Sequence, residues 1–225
     1  MSSLASITIL AIDRDENLAL HDWARGLDWV RWILSDIRSH LPPLSTATES
    51  PLQEADVLRA WDHFASRLFL PLIGPSLKEA WHAAHSGRTR KLAQVAQDLD
   101  QRLPIILRER SSQAADLLLR GTRHAVYQEV LGKHRAAIAE GRCPAHLIPV
   151  WAATGVLFQL GFANVCAEYL RLEWSMLSRL CLDLAEPSGP TSIVELTQQI
   201  VHTSPHTLKM EPEAPNPDSD LRKEG

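Results

Sequence analysis

The chain has little of what most catalytic or exported proteins depend on. Of its 225 residues only three are cysteines, Cys143, Cys166 and Cys181. An odd number with no C-x-x-C spacing gives neither a disulfide framework nor a structural zinc finger, and it suits a reducing compartment. There is no glycine-rich phosphate loop, no G-x-S-x-G elbow and no H-E-x-x-H, which removes the commonest nucleotide, acyl-transfer and zinc-hydrolase signatures. Glu-x-x-His pairs are missing too: Glu129 is followed three residues on by Gly132 and Glu168 by Arg171, so the ligand pattern of a di-iron bundle is absent. A basic excess is also lacking. The net charge of −4 argues against a general nucleic-acid binder. The first residues carry neither a basic segment nor a small-residue cleavage site, so no export signal is visible and the cytoplasm is the expected location. No stretch alternates as a strand would, and no period repeats.

What is abundant is helix former. Leu (34) and Ala (26) far outnumber Val plus Ile (22). Leu20, Trp23, Leu27, Val30, Leu34, Ile37 and Leu41 follow a 3-4 spacing that predicts a first helix, closed by Pro42-Pro43. Ser50-Pro51-Leu52-Gln53 reads as the start of a second helix through Leu58, Trp61, Ala65, Leu68 and Leu72, broken by Pro71, Gly74 and Pro75. Ser76-Leu77-Lys78-Glu79 then predicts a capped short helix to Gly87, and a further helix spans 89–101 before Pro104. From there a long helical pattern runs to Glu140, interrupted by Gly121 and Gly132 and ended by Gly141. Phe162 to Leu184 is amphipathic, and Ser192-Ile193-Val194-Glu195 caps a last helix to about His202. The expectation is an all-α protein: one bundle of seven to eight helices over 17–202, a leader over 1–16, and a disordered acidic, proline-rich tail over 203–225.

Two stretches stand out from this background. Residues 78–142 carry 12 basic and 7 acidic side chains, a local +5 between two acidic flanks, which reads as a solvated face or as a docking surface for an acidic partner. Cys143–Ala167 holds 25 consecutive residues without a formal charge, long enough to cross a bilayer. Pro149, Thr154, Gln159, Asn164 and two glycines dilute it, however, and no basic cluster flanks it. A central buried helix or helix pair is the reading adopted, with a membrane-associated protein inserting residues 143–167 as a rival.

Chemistry-bearing side chains are sparse. His82 and His85 are three apart on one helix and are weak candidates for metal binding, needing a third ligand from elsewhere. A metal- or cofactor-using helical enzyme is therefore a second rival, but no cofactor is expected. Cys166 and Cys181 sit on apolar stripes, whereas Cys143, beside Arg142 and near His146, is the most plausible reactive thiol.

The order of short motifs carries more information. Leu58 to Trp61, Leu70-Pro71-Leu72 before Ala80, then Gly87, Leu92 and Leu99 are followed by Glu109-Arg110-Ser111-Ser112 and Leu117-Leu118-Leu119-Arg120. Pro149-Val150-Trp151 with Gly155, Leu160-Gly161-Phe162 and Tyr169-Leu170 complete the series. In this order the segments resemble the urease accessory protein UreF family over roughly residues 55–200. Gly26-Leu27-Asp28-Trp29 is similar to the family's G-L-E segment, while its P-V-G-G/A-F-S-Y-S-H and L-G-Q-x-x-G-Q runs are absent. The resemblance implies a non-enzymatic adaptor that dimerises and bridges a scaffold accessory protein to a nickel-delivering GTPase. On that basis Gly26, Asp28, Trp29, Trp32, Arg108, Arg110 and Tyr169 are the positions expected to meet partners, with no nucleic acid or membrane involved.

Overall fold

The computed structural model describes residues 54–123, 129–178 and 185–203. The expected first helix, with Gly26, Asp28, Trp29 and Trp32, lies outside the described residues, as do the leader, Cys181 and the tail beyond Thr203. Among the described residues the protein is all-α. Its α-helical segments are α1 (Glu54–Phe64), α2 (Gly74–His85), α3 (Thr89–Arg102), α4 (Ile105–Gly121), α5 (Glu129–Ala139), α6 (Leu147–Leu157), α7 (Phe162–Ser178) and α8 (Ile193–His202).

Helix α6 is the axis of the bundle. Every residue from Leu147 to Gly155 is buried, and α2, α3, α4, α5 and α7 all pack on it. A helix apolar on all sides is stable only where neighbours cover its whole circumference. The uncharged stretch is therefore two helices rather than one span. Gln159, at φ 57°, turns the chain between them, and Leu160 N–H closes the turn on the Gly155 carbonyl at 2.8 Å. No helix among the described residues is long and apolar enough to cross a membrane.

Pro71, Gly74 and Pro75 do not break the chain as their residue types predict. α1 and α2 are joined without interruption by a π-helix, Ala65–Ile73, and Gly74 N–H reaches back five residues to the Phe69 carbonyl. The wider turn has room for the Pro71 ring, which an α-helix would press against the preceding turn. Ser76 consequently lies within α2 and caps nothing. Gly74 serves packing instead of punctuation: a Cβ there would come within 2.5 Å of Ile200 Cδ1, so its absence lets α8 close on α2.

The long pattern after Pro104 also divides. Gly121 ends α4, Thr122 Oγ1 donates to the Leu118 carbonyl at 2.9 Å, and the Arg135 guanidinium of α5 donates to the Leu119 carbonyl at 3.0 Å. A cation on α5 thereby satisfies the carbonyl end of α4 and ties the two helices together. Other sequence signals hold as expected. Gly87 and Gly141 close their helices at φ 68° and 70°, and Ser192 Oγ accepts from Glu195 N–H at 3.2 Å.

Around α1, the π-helix and α7 the core is aromatic. Trp61 meets Trp174 edge-on at 5.3 Å, Phe69 stacks on Tyr169 at 6.3 Å, and Trp61 Nε1 donates to the Thr191 carbonyl at 2.7 Å. At the α6–α7 crossing, Gly155 faces Val165 so closely that an added Cβ would stand 2.3 Å from Val165 Cγ2. Val165 is fully buried and stiff at χ1, so it has nowhere to turn. Gly155→Ala, which in an open helix would gain up to about 1 kcal/mol, is expected here to lose about 1–3 kcal/mol by overpacking. In a Val165→Ala background the same change should be neutral or favourable. Urea melts of the four proteins in this cycle check it; a destabilisation that persists once the valine methyls are gone would refute the contact as its cause.

Candidate docking surface along α2

Helix α2 presents Leu77, Ala80, Trp81 and Ala84 to the core, a spacing that leaves Lys78, Glu79 and His82 on the opposite side. The Gly87 turn sends α3 back antiparallel beside it, and α8 lies along the other flank. Between them runs a groove of about 670 Å³, lined by Lys78, His82, Arg88, Lys91, Arg102 and one acidic residue, Glu79, as well as by Pro71, Ile200 and Thr203. A second concavity of about 540 Å³ adjoins it, shares Arg88 and Lys91, and adds Arg90. The local positive excess seen in residues 78–142 is thus gathered partly on one face.

These cations differ in availability. Lys78 Nζ donates to the carbonyls of Ile200 (3.1 Å), Val201 (2.6 Å) and Thr203 (2.9 Å), so its three protons cap the C-terminal end of α8. Burial lowers its pKa, and the nearby Cys166 acts in the opposite sense. Lys91 is paired with Glu79 at 2.6 Å. Arg88, Arg90 and Arg102 are exposed, and none has an ion-pair partner among the described residues. Two of them, Arg88 and Arg102, line the groove and Arg90 lines the adjoining concavity; guanidinium forks unpaired among the described residues are suited to carboxylates.

The positions singled out from sequence are scattered. His82 and His85 flank Trp81: His85 stacks on the indole at 4.8 Å, and His82 meets its edge at 5.2 Å and stacks on Phe162 at 6.4 Å. Among the described residues no group of three His, Cys, Asp or Glu side chains is placed to hold a metal ion. Arg108 stands 3.6 Å from Asp100, which also takes the buried His146 Nε2 at 3.4 Å; this node joins α3, α4 and the start of α6. Burial lowers the His146 pKa, against the pull of Asp100. Arg110 is half-buried on the same helix as Arg108. Tyr169 is fully buried, and its hydroxyl donates to Glu173 at 3.0 Å, so its ring is part of the core. Burial raises the Tyr169 pKa well above its usual value, and the Glu173 carboxylate adds to this.

Cys143 is buried, and desolvation raises its pKa against the opposing Arg142 charge; burial pushes the Cys166 thiol up to about 12. Neither is a poised thiolate. At the start of α4, Ile105 and Ile106 form an exposed apolar step, 66 % and 44 % accessible. Sequence periodicity had no means of finding it, since a helix start next to Pro104 carries no face of its own.

Residues 52–180 match the UreF family model. No curated protein matches the chain, and neither does any solved structure.

Proposed function

Because the chain belongs to the UreF family, which implies a urease accessory role, we propose that it is a non-enzymatic adaptor in assembly of the urease nickel centre, bridging a scaffold accessory protein and a GTPase. The match across residues 52–180 carries this reading, since it takes in the central α6 and the five helices that pack on it. Two surface features support action by contact: the basic groove along α2 and the exposed Ile105-Ile106 step. Arginine is enriched among the residues that anchor protein interfaces, and exposed apolar patches mark interaction sites. Homodimerisation, engagement of the GTPase and a cytoplasmic location belong to the same proposal.

The test is nickel loading of urease in cells that contain urease and the remaining accessory proteins, with and without this chain. Loss of nickel from purified urease in its absence, restored by the wild-type gene, is the expected result. Fully loaded urease in the deletion strain would defeat the proposal. Ile105→Asp is expected to weaken co-purification of the partner proteins at least tenfold with little change in melting temperature, because the side chain is 66 % accessible and packs little against the bundle.

A further inference from the structure

The groove along α2 ends where the described chain ends. Thr203 lines it, and the Thr203 carbonyl is held by Lys78 at 2.9 Å, so whatever follows residue 203 leaves from the groove itself. The next 22 residues contain a segment of opposite charge. Between 211 and 220 stand Glu211, Glu213, Asp218 and Asp220 with no Lys or Arg, and Pro212, Pro215 and Pro217 bias that stretch toward extended backbone.

The lengths agree. Arg88 and Arg102 are 14 residues apart along α3, about 21 Å at the helical rise per residue. Glu213 and Asp220 are seven residues apart, about 22 Å in extended, proline-rich chain. The eight residues from Thr203 to Glu211 can cover up to about 26 Å, enough to double back over the α2 face. We infer that the groove between α2, α3 and α8 binds the protein's own acidic segment 211–220, with Arg88 and Arg102 facing its carboxylates. The tail is then an internal competitor for any acidic partner that docks on this face.

The inference is independent of the urease reading, because it is measured on the purified chain alone. The probe is a fluorescein-labelled peptide of residues 210–221, titrated by fluorescence anisotropy against full-length protein. For an effective tail concentration on the order of 1 mM and an intrinsic dissociation constant on the order of 0.1 mM, occupancy by the tail weakens peptide binding about tenfold. The full-length variant E211Q/E213Q/D218N/D220N is therefore expected to bind the peptide about tenfold more tightly than wild type. Adding R88E/R102E to that variant should reduce binding at least tenfold, and both residues are exposed, so the fold should tolerate the change. Raising salt should weaken the interaction.

Equal peptide binding by wild type and the tail-neutralised variant would overturn the inference, leaving a groove open to acidic partners from outside. No binding by the tail-neutralised variant, or binding indifferent to R88E/R102E, would also overturn it. Circular dichroism melts of each variant separate loss of binding from loss of fold.

Discussion

Trp151→Ala is expected to lower stability by about 3–5 kcal/mol, the usual cost of truncating a fully buried large aromatic residue. Trp151 lies in the middle of α6 with no exposure to solvent, and α6 touches five other helices, so no single neighbour can move in to fill the space. For a chain of this size the shift corresponds to a fall in melting temperature of roughly 6–20 °C. Trp151→Phe separates the two parts of the effect. It keeps most of the ring volume and removes the Nε1 hydrogen bond to the Val165 carbonyl, 3.0 Å long in the wild type. That carbonyl lies within helix α7, so its loss of the indole partner should cost only about 1–2 kcal/mol, including the smaller ring. Differential scanning calorimetry of the three proteins decides it. Equal destabilisation by Phe and Ala would mean that the hydrogen bond, rather than the volume, holds α6 against α7.

The second large effect is an acid limb due to His134. Its ring is fully buried on α5, and neither nitrogen has a hydrogen-bond partner among the described residues. Burial lowers its pKa from 6.5 to about 4, because the charged imidazolium would stand in apolar surroundings. The unfolded chain takes up this proton near pH 6.5 and the folded chain only near pH 4. Stability from this group is therefore complete above about pH 6.5, declines as pH falls, and has dropped by about 3 kcal/mol below pH 4. His134→Met keeps a similar volume and removes the titration. Near pH 7.5 the variant should equal or exceed the wild type, since two unpaired polar nitrogens leave the core. Its advantage should grow by about 3 kcal/mol between pH 7.5 and pH 4. His146, which burial shifts in the same direction, is present in both proteins and cancels in the comparison. Urea denaturation at a series of pH values reads the difference directly, and a difference that stays constant with pH would show that His134 protonates in place.

Local chemistry made much of this architecture readable. Helical spacing identified the segments, Gly87 and Gly141 marked the left-handed stops, and Ser192 with Glu195 gave the final cap. Each depends on groups within four residues of one another, so the sequence carries them in full. The order of motifs from Leu58 to Tyr169 pointed to the UreF family, whose model matches residues 52–180.

Other features depended on partners distant in the chain. Pro71 and Gly74 read as breaks because their local preferences favour one, yet α8 supplies Ile200 against the glycine and the π-helix relieves the proline. Gln159 gave no turn signal, since its left-handed conformation is imposed by the closure of α7 on α6 and not by its own preference. Tyr169 and Arg108 were expected to meet partners on the family resemblance; the fold buries Tyr169 and sets Arg108 beside Asp100. The basic excess was visible as a count, but the groove exists because Lys78 grips carbonyls more than 120 residues away, at Ile200, Val201 and Thr203. The sequence by itself determined the all-α class, the stops at Gly87 and Gly141, the Ser192 cap and the family. Only the tertiary structure decided which cations share a surface and which residues are sealed from it, because side-chain burial and charge proximity are set by segments that meet in space and not along the chain.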